Sequence, residues 1–213
     1  MRKLSETNVL NKTIALRVDL NVPVENDKVL DDTRIISIIP TLEYLLAQKT
    51  KIILISHFGR PKSGVFDSKF SLLPVAKRLE EILNKQVKLF SSIEDVNFSS
   101  DISLIENIRF LPGELENDAE LGKKLSNIAD VYVFDAFGTS HRAHASTYGA
   151  IKASEVSCAG LLLENEINAL QQAISSKSSP MLSIVGGSKV SSKLEVIKNL
   201  SKISDDVMTG GGI

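Results

Sequence analysis

The chain has 213 residues, of which 43% are hydrophobic and 24% charged, with a formal net charge of -1. These values exclude a collagen-like or disordered chain and give enough apolar surface for a sizeable core. They also lack the basic excess of a nucleic-acid binder, so any positive site has to come from a few cations converging locally. No apolar run approaches the roughly 18 residues needed to cross a bilayer. The N-terminal MRKLSETNVL is too polar for a secretion signal, so a cytoplasmic location is expected. The lone Cys158 can form neither an internal disulfide nor a thiolate metal site by itself.

In chain order, aliphatic runs predict strands over Thr13–Asp19, Ile52–Ser56, Gln86–Phe90, Ile102–Ile105, Val131–Asp135 and Met181–Val185. Continuous apolarity, as in Ile52–Ile55 and Val131–Phe134, suits strands covered on both faces. Helix-compatible stretches lie between them. Pro40 opens or kinks one helix. Leu72–Leu83 places Leu72, Val75, Ala76, Leu79, Ile82 and Leu83 at helical spacing, and a third helix starts near Asn117 or Asp118, either of which can cap it. The alternation predicts an α/β fold with a doubly wound, mainly parallel sheet of Rossmann-like type. An amphipathic segment, Leu161–Ile174, precedes a serine-rich break over 175–180. The segment from 181 to 213 then reads as a fresh strand, a glycine turn and a helix, which together cannot bury a core.

Polar residues gather just after the strands, where open α/β sheets bind ligands. The first strand carries Arg17 and leads to Asp19 and Asn21, with Arg34 in a following loop. The second leads to His57 and Arg60, the fourth to Arg109, and the fifth to Asp135, His141, Arg142 and His144. Guanidinium forks match carboxylate and phosphate oxygens, so four or five of them on one rim would make an anion site. His141 and His144 stand at i, i+3 with no third ligand at metal spacing, so no metal site is expected. Gly186-Gly187-Ser188-Lys189, between a strand and a helix, is compatible with phosphate binding but lacks the Walker spacing. Lys189 and Lys193, four apart, would share a helix face.

Six segments in order, RVDLNVP (17–23), SHFGRP (56–61), ENIRF (106–110), DAFGTSHRAH (135–144), GLLLENEI (160–167) and GGSKVSSK (186–193), resemble the phosphoglycerate kinase family. The resemblance runs along essentially the whole chain. It implies a phosphoglycerate-binding domain over 1–160, an interdomain helix over 161–174, and over 181–213 the start of a nucleotide-binding domain left incomplete.

The implied reaction is reversible transfer of the acyl phosphate of 1,3-bisphosphoglycerate to ADP, giving 3-phosphoglycerate and ATP. By the same resemblance, Arg17, Asp19, Asn21, Arg34, His57, Arg60, Arg109 and Arg142 bind the glycerate. Gly186, Gly187, Lys189, Lys193, Gly210 and Gly211 take nucleotide-side positions, and Arg34 and Lys189 stabilise the transferring phosphoryl group. Mg2+ is expected to arrive with ADP or ATP, with no protein ligand from this chain. Neither nucleic acid nor membrane is an expected partner.

Two departures stand out: Ser192 where the family commonly has Asp, and Phe58 where it usually has Leu. The family's later Mg-facing Asp, ribose-binding Glu and C-terminal tail have no counterpart here. The chain alone is therefore expected to lack full activity and to bind nucleotide weakly. The alternative readings are a non-catalytic phosphoglycerate-binding module or an interaction protein that keeps the scaffold.

Overall fold

A computed structural model describes residues 1–175, 180–187 and 193–212. They divide into two units, Met1–Glu166 and Ile167–Ile213. The first is built on six strands: β1 (Thr13–Val18), β4 (Lys51–Ile55), β5 (Val87–Phe90), β6 (Ile102–Ile105), β7 (Val131–Asp135) and β8 (Ser157–Ala159). A small antiparallel hairpin, β2 (Val24–Glu25) with β3 (Lys28–Val29), intervenes after β1. The six strands are all parallel in the order β5-β6-β4-β1-β7-β8.

Side-chain alternation splits the apolar runs between two cores. Ile14, Leu16, Val18, Ile52, Leu54, Ile102 and Leu104 face α2 (Ile39–Ala47) and α3 (Leu73–Leu83). Ala15, Ile53, Ile55, Ile105 and Tyr132 face α4 (Ala119–Asn127) and α5 (Ala150–Ala153). This double cover is why the strands read as continuously apolar. The helices start as their sequences direct. Pro40 lies in the first turn of α2, where its missing N–H costs nothing. The Asp118 side chain accepts the Leu121 N–H at the start of α4. Asn84, in the left-handed conformation, ends α3.

Two connections leave the middle of the sheet in opposite directions. From β1 the chain passes through α1 (Thr33–Ser37) and α2 to β4 on one side, and from β7 through α5 to β8 on the other. The crevice between the carboxyl ends of β1 and β7 is thus a topological switch point, the place where such sheets bind ligands. Helix α6 (Leu161–Ser175) begins beside it and runs across the boundary between the units.

The second unit contains parallel strands β9 (Leu182–Gly187) and β10 (Asp206–Gly211) and the helix α7 (Leu194–Leu200). Several expectations change here. Gly186 and Gly187 extend β9 and pair with Gly210 and Gly211 of β10; the glycine turn expected at 186–187 is strand. Parallel pairing explains this, since the ladder with β10 engages both glycines. Lys193 precedes α7 and is not on a helix face, while Lys189 and the serine-rich break over 176–179 lie outside the described residues. Among the described residues no helix is long and apolar enough to cross a membrane.

Candidate anion site

At the carboxyl edge of the sheet, buried side-chain bonds lock separate loops to one another. Ser56 Oγ accepts the Leu20 N–H at 2.9 Å, and Asn21 Oδ1 accepts the Gly59 N–H at 2.8 Å, joining the loops after β1 and β4. Asn107 accepts the Phe58 N–H at 3.0 Å and donates to the Phe58 carbonyl at 2.6 Å, joining the loops after β4 and β6. The Glu106 carboxylate accepts from Leu72 N and Asn107 N and from Ser71 Oγ, anchoring the start of α3 to the same edge. Cations carried by these loops therefore ride on one rigid frame.

Arg17 is 1% exposed. It sits on β1, two residues from Ala15, and so projects to the α4/α5 face of the sheet. Its Nε donates to Ser146 Oγ at 2.9 Å, one terminal nitrogen donates to the Val18 carbonyl, and the other lies 3.4 Å from His57 Nδ1. Ser146 in turn donates from Oγ and from its backbone N–H to the two oxygens of Glu114, at 2.6 and 2.9 Å. Glu114 is itself 1% exposed, and the Tyr132 hydroxyl donates to the Ser146 carbonyl at 2.6 Å. Burial pulls the Arg17 pKa down, and the negative charge of Glu114 opposes that pull.

His57 is buried, and its pKa falls to about 2, first because of burial and then because of the positive charges of Arg17, Arg109, Arg142 and Arg34. It is therefore neutral at physiological pH. Because Arg17 can only donate, the neutral ring accepts at Nδ1 and carries its proton on Nε2. Desolvation also lowers the Arg109 pKa, aided by Arg142, Arg17 and Arg60. The mutual repulsion of these cations reflects how closely they are gathered. Arg109 is half-buried on a 3-10 turn and donates to the Gly59 carbonyl. The backbone of Arg142 is fixed by a bond from its N–H to the Thr139 carbonyl and one to its own carbonyl from Thr147 Oγ1. Arg60 is exposed at the rim.

Arg34 lies on α1 and not in a loop as expected: the helix starts at Thr33, whose N–H and Oγ1 both donate to Asp31 in the turn just before it. Its guanidinium donates to Asp19 Oδ2 at 2.6 Å. Asp19 Oδ1 accepts the Asn21 N–H, and His57 Nδ1 is 3.9 Å from the same oxygen. A cavity of about 210 Å³ opens on Asp19 and Arg34, lined also by Ser37, Ile38, Leu162, Glu166 and the segment Asp135–Gly138. It lies at the switch point. Buried Asp135 accepts from Thr41 Oγ1 at 2.6 Å and from the Leu163 N–H at 2.7 Å, so it ties the start of α6 to the sheet; burial raises its pKa.

His144 turns toward Glu114, 3.9 Å away, and His141 is exposed. Among the described residues no group of three or more His, Cys, Asp or Glu side chains is arranged to hold a metal ion. In the second unit Gly186, Gly187, Gly210 and Gly211 lie side by side at the carboxyl ends of β9 and β10. Gly211 has φ +79°, and a Cβ there would stand 2.9 Å from the Gly187 carbonyl oxygen, so a side chain is excluded.

A depressed His57 pKa makes folding pH-dependent. Below its ordinary value of about 6.5 the unfolded chain takes up a proton that the folded one refuses, so stability is lost as pH falls. Between pH 6.5 and 5, urea unfolding is expected to lose about 1 kcal/mol per pH unit from this group. His57→Gln should flatten that slope, and an equally steep slope in the variant would contradict it.

Fold and geometry together define a doubly wound, Rossmann-like α/β protein with a cluster of arginines at the carboxyl edge of its sheet and a cavity on Asp19 and Arg34 at its switch point. A phosphoglycerate kinase family model matches residues 4–213. Phosphoglycerate kinase of Francisella tularensis subsp. novicida is 48% identical over 99% of the chain and 54% of its own length. That of Buchnera aphidicola from Acyrthosiphon pisum (strain 5A) is 46% identical over 100% and 55%. The solved phosphoglycerate kinase of Coxiella burnetii superposes with a TM-score of 0.90 at 41% identity, covering 99% of this chain and 54% of that one. That of Pyrococcus horikoshii gives 0.86 at 33%, covering 99% and 55%. The chain belongs to the phosphoglycerate kinase family, and it spans about half the length of the curated relatives it matches.

The sequence did not single out Glu114 or Ser146, and it placed Asn107 after the fourth strand without a role. Glu114 stands in the polar stretch PGELEND, where an acidic residue reads as solvated, and only its distant partner Ser146 makes it a core group.

Proposed function

We propose that this chain supplies the phosphoglycerate-binding half of reversible phosphoryl transfer between 1,3-bisphosphoglycerate and ADP. The observation that carries the reading is Arg17 held 3.4 Å from the neutral His57 ring and Arg34 bonded to Asp19, whose carboxylate lies 3.9 Å from the same ring, with the charges of Arg109 and Arg142 also acting on His57. A small sugar acid bearing a carboxylate and a phosphate offers matching negative charge and planar oxygen pairs. Asp19, already paired with Arg34, and Asn21 face the hydroxyl chemistry of the glycerate. Residues 1–160 form the glycerate domain in this reading, 161–174 the interdomain helix, and 181–213 part of the nucleotide domain.

Phosphoryl transfer leaves the protein mainly positioning and charge neutralisation. In this reading Arg34 and Lys189 are the cations that stabilise the transferring phosphoryl group. The bond to the carboxylate breaks as a β-phosphate oxygen of ADP takes the phosphoryl group. Mg2+ enters with the nucleotide as part of the substrate. The glycine pairs of β9 and β10 offer a surface without side chains for the nucleotide, and Lys193, just before α7, offers a cation.

Calorimetric titration of the purified chain with 3-phosphoglycerate tests the reading. One-to-one binding that is much tighter than for glycerate or inorganic phosphate alone is expected. Equal, weak responses to all three would overturn it.

A further inference from the structure

We propose that Glu114 and Ser146 form a positioning relay that fixes the buried Arg17 guanidinium against His57, and through it the anion site. The proposal deepens the phosphoglycerate reading and rests on it. Ser146 has one hydroxyl proton, which it gives to Glu114 Oε1 at 2.6 Å. Its lone pairs are therefore left for Arg17 Nε, 2.9 Å away. The backbone N–H of the same serine gives to Glu114 Oε2 at 2.9 Å, so both carboxylate oxygens are needed as acceptors. Residues Ala145–Gly149 form a single π turn, a local widening of the helix that carries Ser146 between Glu114 and Arg17. All three residues are at most 1% exposed, so no water competes for these bonds. The relay also links the segment after β6, which carries Glu114, to the segment after β7, which carries Arg142.

Glu114→Gln keeps the volume but offers an amide N–H₂ where an acceptor is required, facing either the Ser146 hydroxyl or its N–H. Ser146→Ala removes the relay while leaving Glu114 and Arg17 in place. Both variants of the whole chain are titrated with 3-phosphoglycerate while the arginine Nε–H resonances are followed by NMR. Each is expected to shift the buried Arg17 Nε–H signal and to weaken binding roughly tenfold or more, as loss of a charge-assisted bond would. Because the two act in series, the double variant should be no weaker than the worse single one. A purely structural role would lower the melting temperature and leave affinity within about twofold of the unmodified chain, overturning the proposal. If the unmodified chain fails to bind 3-phosphoglycerate, the functional reading falls. The Arg17 signal still decides the relay in that case, and an unmoved resonance in both variants overturns it.

Discussion

Replacing Arg109 with methionine is expected to weaken 3-phosphoglycerate binding by roughly two orders of magnitude, the loss of a bidentate, charge-assisted pair, without lowering the melting temperature. The side chain is pinned by its bond to the Gly59 carbonyl, so its fork is preorganised and little rotamer entropy is lost on binding. Its charge is also unwelcome in the free protein, where Arg142, Arg17 and Arg60 all repel it. Methionine relieves that repulsion and retains much of the packing. Arg109→Lys keeps the charge without the planar fork and should recover only part of the affinity. Calorimetry and thermal unfolding of the three proteins check this. An Arg109→Met chain that binds normally would remove Arg109 from the site.

Gly160→Ala is expected to destabilise the first unit by about 3 kcal/mol, at the upper end of overpacking penalties. An added Cβ would lie 2.2 Å from Asp135 Cγ and 2.6 Å from Asp135 Cβ. Asp135 cannot swing aside cheaply, because Thr41 Oγ1 and the Leu163 N–H both donate to its carboxylate. Displacing it leaves those buried donors unpaired and frees the start of α6 from the sheet. Urea unfolding followed by circular dichroism measures the loss, and a midpoint unchanged from the parent would contradict the packing described here. Since Ala136–Gly138 follow Asp135 directly and line the cavity beside Asp19 and Arg34, weaker 3-phosphoglycerate binding should accompany the instability.

The sheet was legible where its strands are buried on both faces. Ile52–Ile55 and Val131–Phe134 are unbroken apolar runs because each face meets a different core. β8 was not legible: Ser157–Ala159 is a three-residue edge strand in a polar context, and pairing with β7 is what makes it a strand. The hairpin β2–β3 escaped for a similar reason, since its turn rests on the positive φ of Asn26 and Asp27 and not on apolar pattern. β10 was missed because Val207 and Met208 are its only apolar residues.

At the site, the cations were visible because arginine recurs after strands of an α/β pattern. The roles of their neutral and anionic supports were not. Glu106, Asn107 and Glu114 acquire their roles only from partners tens of residues away in sequence, such as Leu72, Phe58 and Ser146.

The central claim is that arginines from four separate strand connections act on one bound anion. It is tested most directly by following every arginine Nε–H resonance of the chain during a single 3-phosphoglycerate titration. The account expects the signals of Arg17, Arg34, Arg60, Arg109 and Arg142 to move together and saturate with one shared dissociation constant, while those of Arg2 and Arg78 stay still. Shifts that fail to saturate, or that follow unrelated constants at each arginine, would contradict it.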